Sequence, residues 1–174
     1  MAIMGALSTE FAYEPNSNEL ITVTPFYRDN KMMLIPSWMV TYDANVRDYS
    51  FQSFGALTKY RINAPSLDAQ FIVGLDLDYA PSSYQEDGVD VTQVGDIYTS
   101  YSKNGDRFYD FDADQTSISP YVHSEWKLTE ALLVNAGLRY DYFDVDYDDN
   151  LSGGPVDGHV RPESQSVSYD HLSP

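Results

Sequence analysis

Asp144, Asp146 and Asp148 occupy alternate positions, and so do Asp110, Asp112 and Asp114. Three carboxylates so spaced open the loop of a helix–loop–helix calcium site, which also needs glycine at its sixth position and glutamate at its twelfth. The first run has Asp149 and Pro155 at those places, the second Gln115 and Tyr121. Both therefore read as solvated acidic segments, and no metal ion or other cofactor is expected. Asp76 with Glu125 could supply a carboxylate pair for glycoside hydrolysis, but carboxylates are abundant enough that chance pairs are expected. Of the histidines, His123 falls on the polar side of an alternating stretch, His159 in a Gly/Pro-rich segment and His171 near the end. None has a second histidine at ligand spacing. Neither a serine–histidine–aspartate order nor a phosphate-cradling glycine loop is found. What remains is recognition. Trp38, Met39, Tyr42, Tyr98, Tyr101, Phe108 and Tyr109 lie in polar stretches, where exposed rings can meet a ligand. Arg139 stands among aspartates, as a member of an ion pair.

Such residues need a scaffold, and composition bounds it. The 174 residues carry 27 Asp+Glu against 10 Lys+Arg, a formal net charge of -17. Phosphate binding needs a basic footprint, so a nucleic-acid partner is excluded. Fifteen tyrosines, eight phenylalanines and two tryptophans separate the chain from acidic disordered sequences, which are poor in aromatics. The absence of cysteine removes disulfides and thiolate metal sites. There is no apolar run long enough for a membrane-spanning helix. MAIMGALSTEFAYEP has no basic n-region or sustained apolar stretch, so it is not read as a signal peptide.

Apolar residues recur at period two, the strand signature. In ALLVNAGLRYDYF, Leu132, Val134, Ala136, Leu138, Tyr140 and Tyr142 share one face, opposite Leu133, Asn135, Gly137, Arg139, Asp141 and Phe143. Ile118, Pro120, Val122 and Trp126 alternate with Ser119, Tyr121, His123, Glu125 and Lys127; Val73, Leu75, Leu77 and Tyr79 alternate with Gly74, Asp76 and Asp78. The alternation predicts strands near 5–14, 19–28, 50–62, 69–79, 116–127 and 132–143, with a seventh beginning at SVSYDHLSP. Short connections alternate with long ones, expected as loops at about 29–49, 80–115 and 147–167. That alternation is the pattern of an antiparallel up-and-down transmembrane β-barrel, with tight periplasmic turns and long outer loops. Strands of roughly 9 to 11 residues suffice to cross a bilayer when tilted. Trp126 lies beside a short turn, and Tyr27, Tyr79, Tyr140 and Tyr142 approach the long connections, as interfacial girdles require. In that setting DVDYDDN has left the hydrocarbon and is solvated, avoiding the heavy penalty on buried charge.

ISPYVHSEWKLTEALLVNAGLRYDYFDVDY followed by SYDHLSP resembles the barrel of TonB-dependent outer-membrane receptors. ITVTPFYRDN, SFGALTKYR and FIVGLDLDY resemble successive strands of the same barrel, so the likeness runs through nearly the whole chain in order. The resemblance implies a 22-stranded barrel with an N-terminal plug that imports a scarce nutrient, most readily a ferric siderophore, driven by TonB acting through the plug. This chain carries no signal peptide, TonB box or plug, and stops where a strand should begin, so it reads as a central slice of such a barrel in the bacterial outer membrane. Its expected partners are outer-membrane lipid and an iron chelate, and no catalysis is expected. Ligand contacts are expected at the loop aromatics Trp38, Tyr42, Tyr98, Tyr101 and Tyr109 and at His123 and Arg139 inside the barrel. The alternative is a soluble β-sandwich or small β-barrel that binds a ligand, its apolar faces turned inward on a shared core.

Overall fold

The computed structural model describes residues 1–35, 44–154 and 159–174. Its strands are Ala2–Ser8 (β1), Phe11–Asn16 (β2), Glu19–Leu34 (β3), Asn45–Ala64 (β4), Ala69–Val94 (β5), Ile97–Thr129 (β6), Leu132–Asp149 (β7) and Gln165–Ser173 (β8), with a 3-10 turn at Pro65–Leu67. All are antiparallel, in the order β1-β3-β4-β5-β6-β7-β8, with β2 also against β3. The sheet is open: β1 and β2 form one end of this order and β8 the other.

Four prolines lie inside strands: Pro15 falls in the irregular end of β2 between Tyr13 and Asn16, and each of the other three coincides with a gap in one ladder. Pro25 of β3 accepts a bond from the Thr9 N–H at 3.3 Å but has no N–H to return. There β1 gives way to β2, while the register runs on from Ser8↔Phe26 to Phe11↔Val23. The two are halves of one strand, so seven staves make up the sheet. Pro81 falls in the β4–β5 gap between Phe51↔Ser82 and Phe54↔Tyr79. Pro120 falls in the β6–β7 gap between Ile118↔Tyr142 and Tyr121↔Arg139.

Cross-strand pairing tests the face assignments, since directly paired residues lie on the same side of a sheet. One row reads Phe11, Val23, Thr58, Leu75 and Pro120; the next reads Pro25, Ala56, Leu77, Ile118 and Tyr142. A third joins Tyr60, Val73, Val122 and Leu138. Every apolar side read from the alternation thus falls on a single continuous face. That face is uncovered: Val73 is 51% exposed, Leu75 36%, Val134 37% and Leu138 48%. The only buried apolar side chains among the described residues are Val46, Ala80 and Val89. No shared core of the kind a soluble sandwich needs is formed by these strands. Hydroxyls on the apolar face are satisfied by backbone, Thr58 donating to the Leu75 carbonyl at 2.7 Å and Ser124 to that of Ala136 at 3.2 Å.

The turns alternate as the spacing predicts, but one long loop is not a loop. Residues 80–115 are the continuation of β5 and β6, which stay paired up to Val94↔Ile97 around a turn at Gly95. The reason is visible in RFYDFDADQ, where Tyr109, Phe111 and Ala113 alternate with Asp110, Asp112 and Asp114. Period two persists there, carried by rings on one side and acids on the other. Residues 29–34, 45–49, 147–149 and 165–167, likewise expected in long loops, lie in β3, β4, β7 and β8.

Candidate ligand-binding site

The end of the sheet beyond the short-turn end places rings on the polar face. Tyr84 of β5 stacks on Phe111 of β6 with centroids 5.2 Å apart, and Phe111 meets Tyr147 of β7 at 5.1 Å. Tyr109, one register step further, meets Tyr84 edge-on at 6.3 Å. The segment after β7 returns over this wall, setting His159 edge-on to Tyr109 at 5.4 Å and parallel to Phe108 at 4.3 Å. Phe143 and Tyr169 stack nearer the middle of β7 and β8 at 4.9 Å. Offset and edge-to-face pairs at such distances are favoured geometries. They hold the rings as a half-buried wall with faces still open.

Most of the charge on this wall is internally paired. Arg47 of β4 lies 3.2 Å from Glu86 of β5, which also accepts from Asn45 at 2.7 Å and from the Tyr84 hydroxyl at 2.5 Å. Burial, and then that bond to Glu86, push the Tyr84 phenol above its usual range. Arg161 folds back to Asp149 at 2.9 Å and to the carbonyls of Leu151 and Gly153. Beside the wall the β5–β6 ladder bulges between Glu86 and Val89, with Gly105 at φ 98° opposite. Asp87 in this bulge is clasped by Lys103 at 2.5 Å and Arg107 at 2.8 Å. Burial opposes ionisation of Asp87, but the bonds from Arg107 and Lys103 together hold its carboxyl below the usual range. The bond that Lys103 donates to Asp87 in turn leads the effects that raise its ammonium.

Of the residues singled out by sequence, Tyr109 joins this wall. Tyr98 and Tyr101 sit near the tip of the β5–β6 hairpin, against Gln93 and Val91, away from the ring cluster. Trp38, Met39 and Tyr42 lie outside the described residues. His123 and Arg139 are on the polar face but nearer the short turns, on β6 and β7. There Arg139 reaches Asp76 at 2.8 Å and Asp141 at 2.7 Å, with the Tyr121 ring 5.8 Å from its guanidinium. That ring fills the space left by Gly74, where a Cβ would meet it at 2.1 Å. Asp76 and Glu125 do not form a pair: Glu125 is registered with Gln70 and Asp76 with Ser119, about 20 Å along the strand at roughly 3.3 Å per residue. Sequence reasoning missed Tyr84, Phe111, Tyr147, Arg47 and Glu86. The alternation of rings with aspartates was the signal that could have found Phe111 and Tyr147.

Residues 6–174 match the family model described as TonB dependent receptor-like, beta-barrel. The chain belongs to that family. No curated protein matches it. The family and the solved neighbours are outer-membrane receptors and transporters. The ferric-catecholate import receptor Fiu from E. coli K12, in its open form, superposes over 98% of this chain with a TM-score of 0.66 at 17% identity. Ferric citrate transporter FecA without ligand gives 0.66 at 13% identity over 98% of the chain, and the siderophore receptor PiuA from Acinetobacter baumannii gives 0.64 at 13% over the same share. The chain spans 32% of the Fiu chain, 24% of FecA and 29% of PiuA, so it corresponds to a third or less of each receptor barrel chain. At these identities the likeness carries the fold.

Proposed function

We propose that this chain forms part of the wall of an outer-membrane receptor that binds a scarce nutrient, a ferric siderophore, and passes it inward with energy supplied through TonB. The observation that carries the reading is the single apolar face running unbroken across six staves, from β1 and β2 to β7, without a core to cover it. Lipid is the solvent such a face fits, because every backbone polar group of a spanning sheet must be paired within the sheet. Aromatic girdles bound this face. Phe71 and Trp126, 5.9 Å apart, mark the short-turn side, and Phe54 and Tyr79, 5.2 Å apart, the other. Phe71 and Tyr79 are separated by about 26 Å along β5 at roughly 3.3 Å per residue. At a strand tilt of about 40° that is about 20 Å of height, close to the apolar band of outer-membrane barrels. The polar face then lines the lumen and the ring wall faces the mouth, where a chelate arrives. The protein's part is capture and passage, not catalysis.

Deleting the parent gene in an iron-limited cell tests the reading. Uptake of a radiolabelled ferric chelate should fall, return with the intact gene, and fail again when TonB is inactivated. Undiminished uptake of every ferric chelate would reject it.

A further inference from the structure

The charges of the chain are sorted by face, and the sorting bears on what the mouth admits. At the height of the ring wall, the side continuous with the apolar face carries Asp110, Asp112, Asp114, Asp144, Asp146 and Asp148, with Asp112↔Asp148 and Asp114↔Asp146 directly paired. The ionisable groups of the strands on the lumen side at this height are Arg28, Arg47, Glu86 and Asp149. Arg47 is bound by Glu86 and Asp149 by Arg161. Among the described residues, Arg28 is the one cation on this wall without a carboxylate partner, its guanidinium lying 4.7 Å from the Phe26 ring. The wall thus offers ring faces and almost no free positive charge, in a chain whose net charge is -17.

We infer that the chelate this wall accepts has a net charge of zero or above and is read by stacking against Tyr84, Phe111, Tyr147 and Tyr109. The inference rests on the receptor reading above and narrows its cargo. A ferric complex of three hydroxamates is neutral, since each ligand group carries one negative charge. A complex of three catecholates is a trianion, which needs several free cations and meets here a repulsive field that also slows its approach. Ring stacking favours weakly hydrated surfaces, and a cationic rim adds attraction to the ring faces.

The test uses the full-length receptor in detergent or lipid, with its barrel checked by resistance to unfolding in SDS. Binding is measured for a neutral ferric trihydroxamate and for a ferric tris-catecholate. The trihydroxamate should bind more tightly, and added salt should improve only the catecholate by screening repulsion. Glu86→Gln frees Arg47 and should tighten the catecholate about tenfold, the scale of one charge-assisted hydrogen bond, and so narrow its disadvantage against the trihydroxamate. Phe111→Leu should weaken the trihydroxamate about tenfold, the scale of one lost stacking face. A wild-type preference for the catecholate, or indifference of the trihydroxamate to Phe111→Leu, would overturn the inference and leave the receptor reading standing. Failure to bind either chelate would overturn both.

Discussion

On the short-turn side of the row Tyr27, Phe54, Tyr79 and Thr116, the strands β3 to β7 carry mainly apolar side chains on the outer face and mainly polar ones inside. Beyond that row the two-residue alternation continues with the assignment exchanged. Along β6 the outer side runs Val122, Pro120, Ile118, Thr116, Asp114, Asp112, Asp110, and the inner side Tyr121, Ser119, Ser117, Gln115, Ala113, Phe111, Tyr109. One backbone thus serves two solvents. Where hydrocarbon surrounds the barrel the outer face must be apolar; where water does, the outer face takes charge and the rings turn inward. The exchange locates the lipid boundary to within a few residues, between Ile118 and Asp114. Tyr79 bridges it, its hydroxyl donating to Asp114 at 2.5 Å.

The largest effect should come from placing charge below the boundary. Leu138→Arg in the parent receptor should cost about 2 to 4 kcal/mol in a bilayer, whereas Asn135→Arg on the lumen face should cost little. Unfolding titrations in lipid vesicles check the pair, and equal tolerance would erase the distinction between the faces. Gly55→Ala comes next. A Cβ there would meet the Leu77 carbonyl oxygen at 1.9 Å, so backbone must move, with a loss of about 1 to 3 kcal/mol by the same titration.

Beyond the boundary the expected effects are smaller and ionic. The clasp of Asp87 by Lys103 and Arg107 involves a carboxyl held below its ordinary value, so its contribution is present above the unfolded carboxylate range and disappears as pH falls through the lowered value. Lys103 is shifted the other way, so its contribution persists below the ordinary lysine range and is lost only as pH rises through the raised value. Amide protection factors in residues 85–107, taken against the intrinsic rate at each pH, should therefore fall below about pH 4 and stay high from about pH 5 to 9, while the strands between the girdles remain protected throughout. Uniform protection at acid pH would remove the ionic account of the hairpin. Smallest of all, Asp146→Asn should stabilise by a few tenths of a kcal/mol, since it relieves the like charge of Asp114 directly opposite. Unfolding at low salt would show the gain and high salt should abolish it.

The comparison also explains what could be read in advance. The staves, their faces and the short-turn girdle at Trp126 were legible because hydrocarbon contact demands strict alternation. The outer half of β5 and β6 was not, because aspartates and serines at 80–115 resemble loop composition when apolarity alone is the guide. Of the rings singled out in the sequence, Tyr109 lies in the half-buried wall. Tyr84 and Phe111 became partners only through the register that pairs them, and no local pattern reports a register. The prolines show the same limit: Pro25, Pro81 and Pro120 argue locally against strand, and the sheet accommodates each with a single ladder gap.

Depth measurement along β6 tests the exchange of faces most directly. Single cysteines at positions 110 to 122 of the parent receptor, in a bilayer and carrying an environment-sensitive label, would report contact with lipid-borne and water-borne quenchers. Labels at Ile118 and Val122 should be quenched from lipid, those at Asp110, Asp112 and Asp114 from water, and those at Ser117, Ser119 and Tyr121 not from lipid. Lipid quenching of Ser119 or Tyr121, or its absence at Ile118 and Val122, would contradict the account.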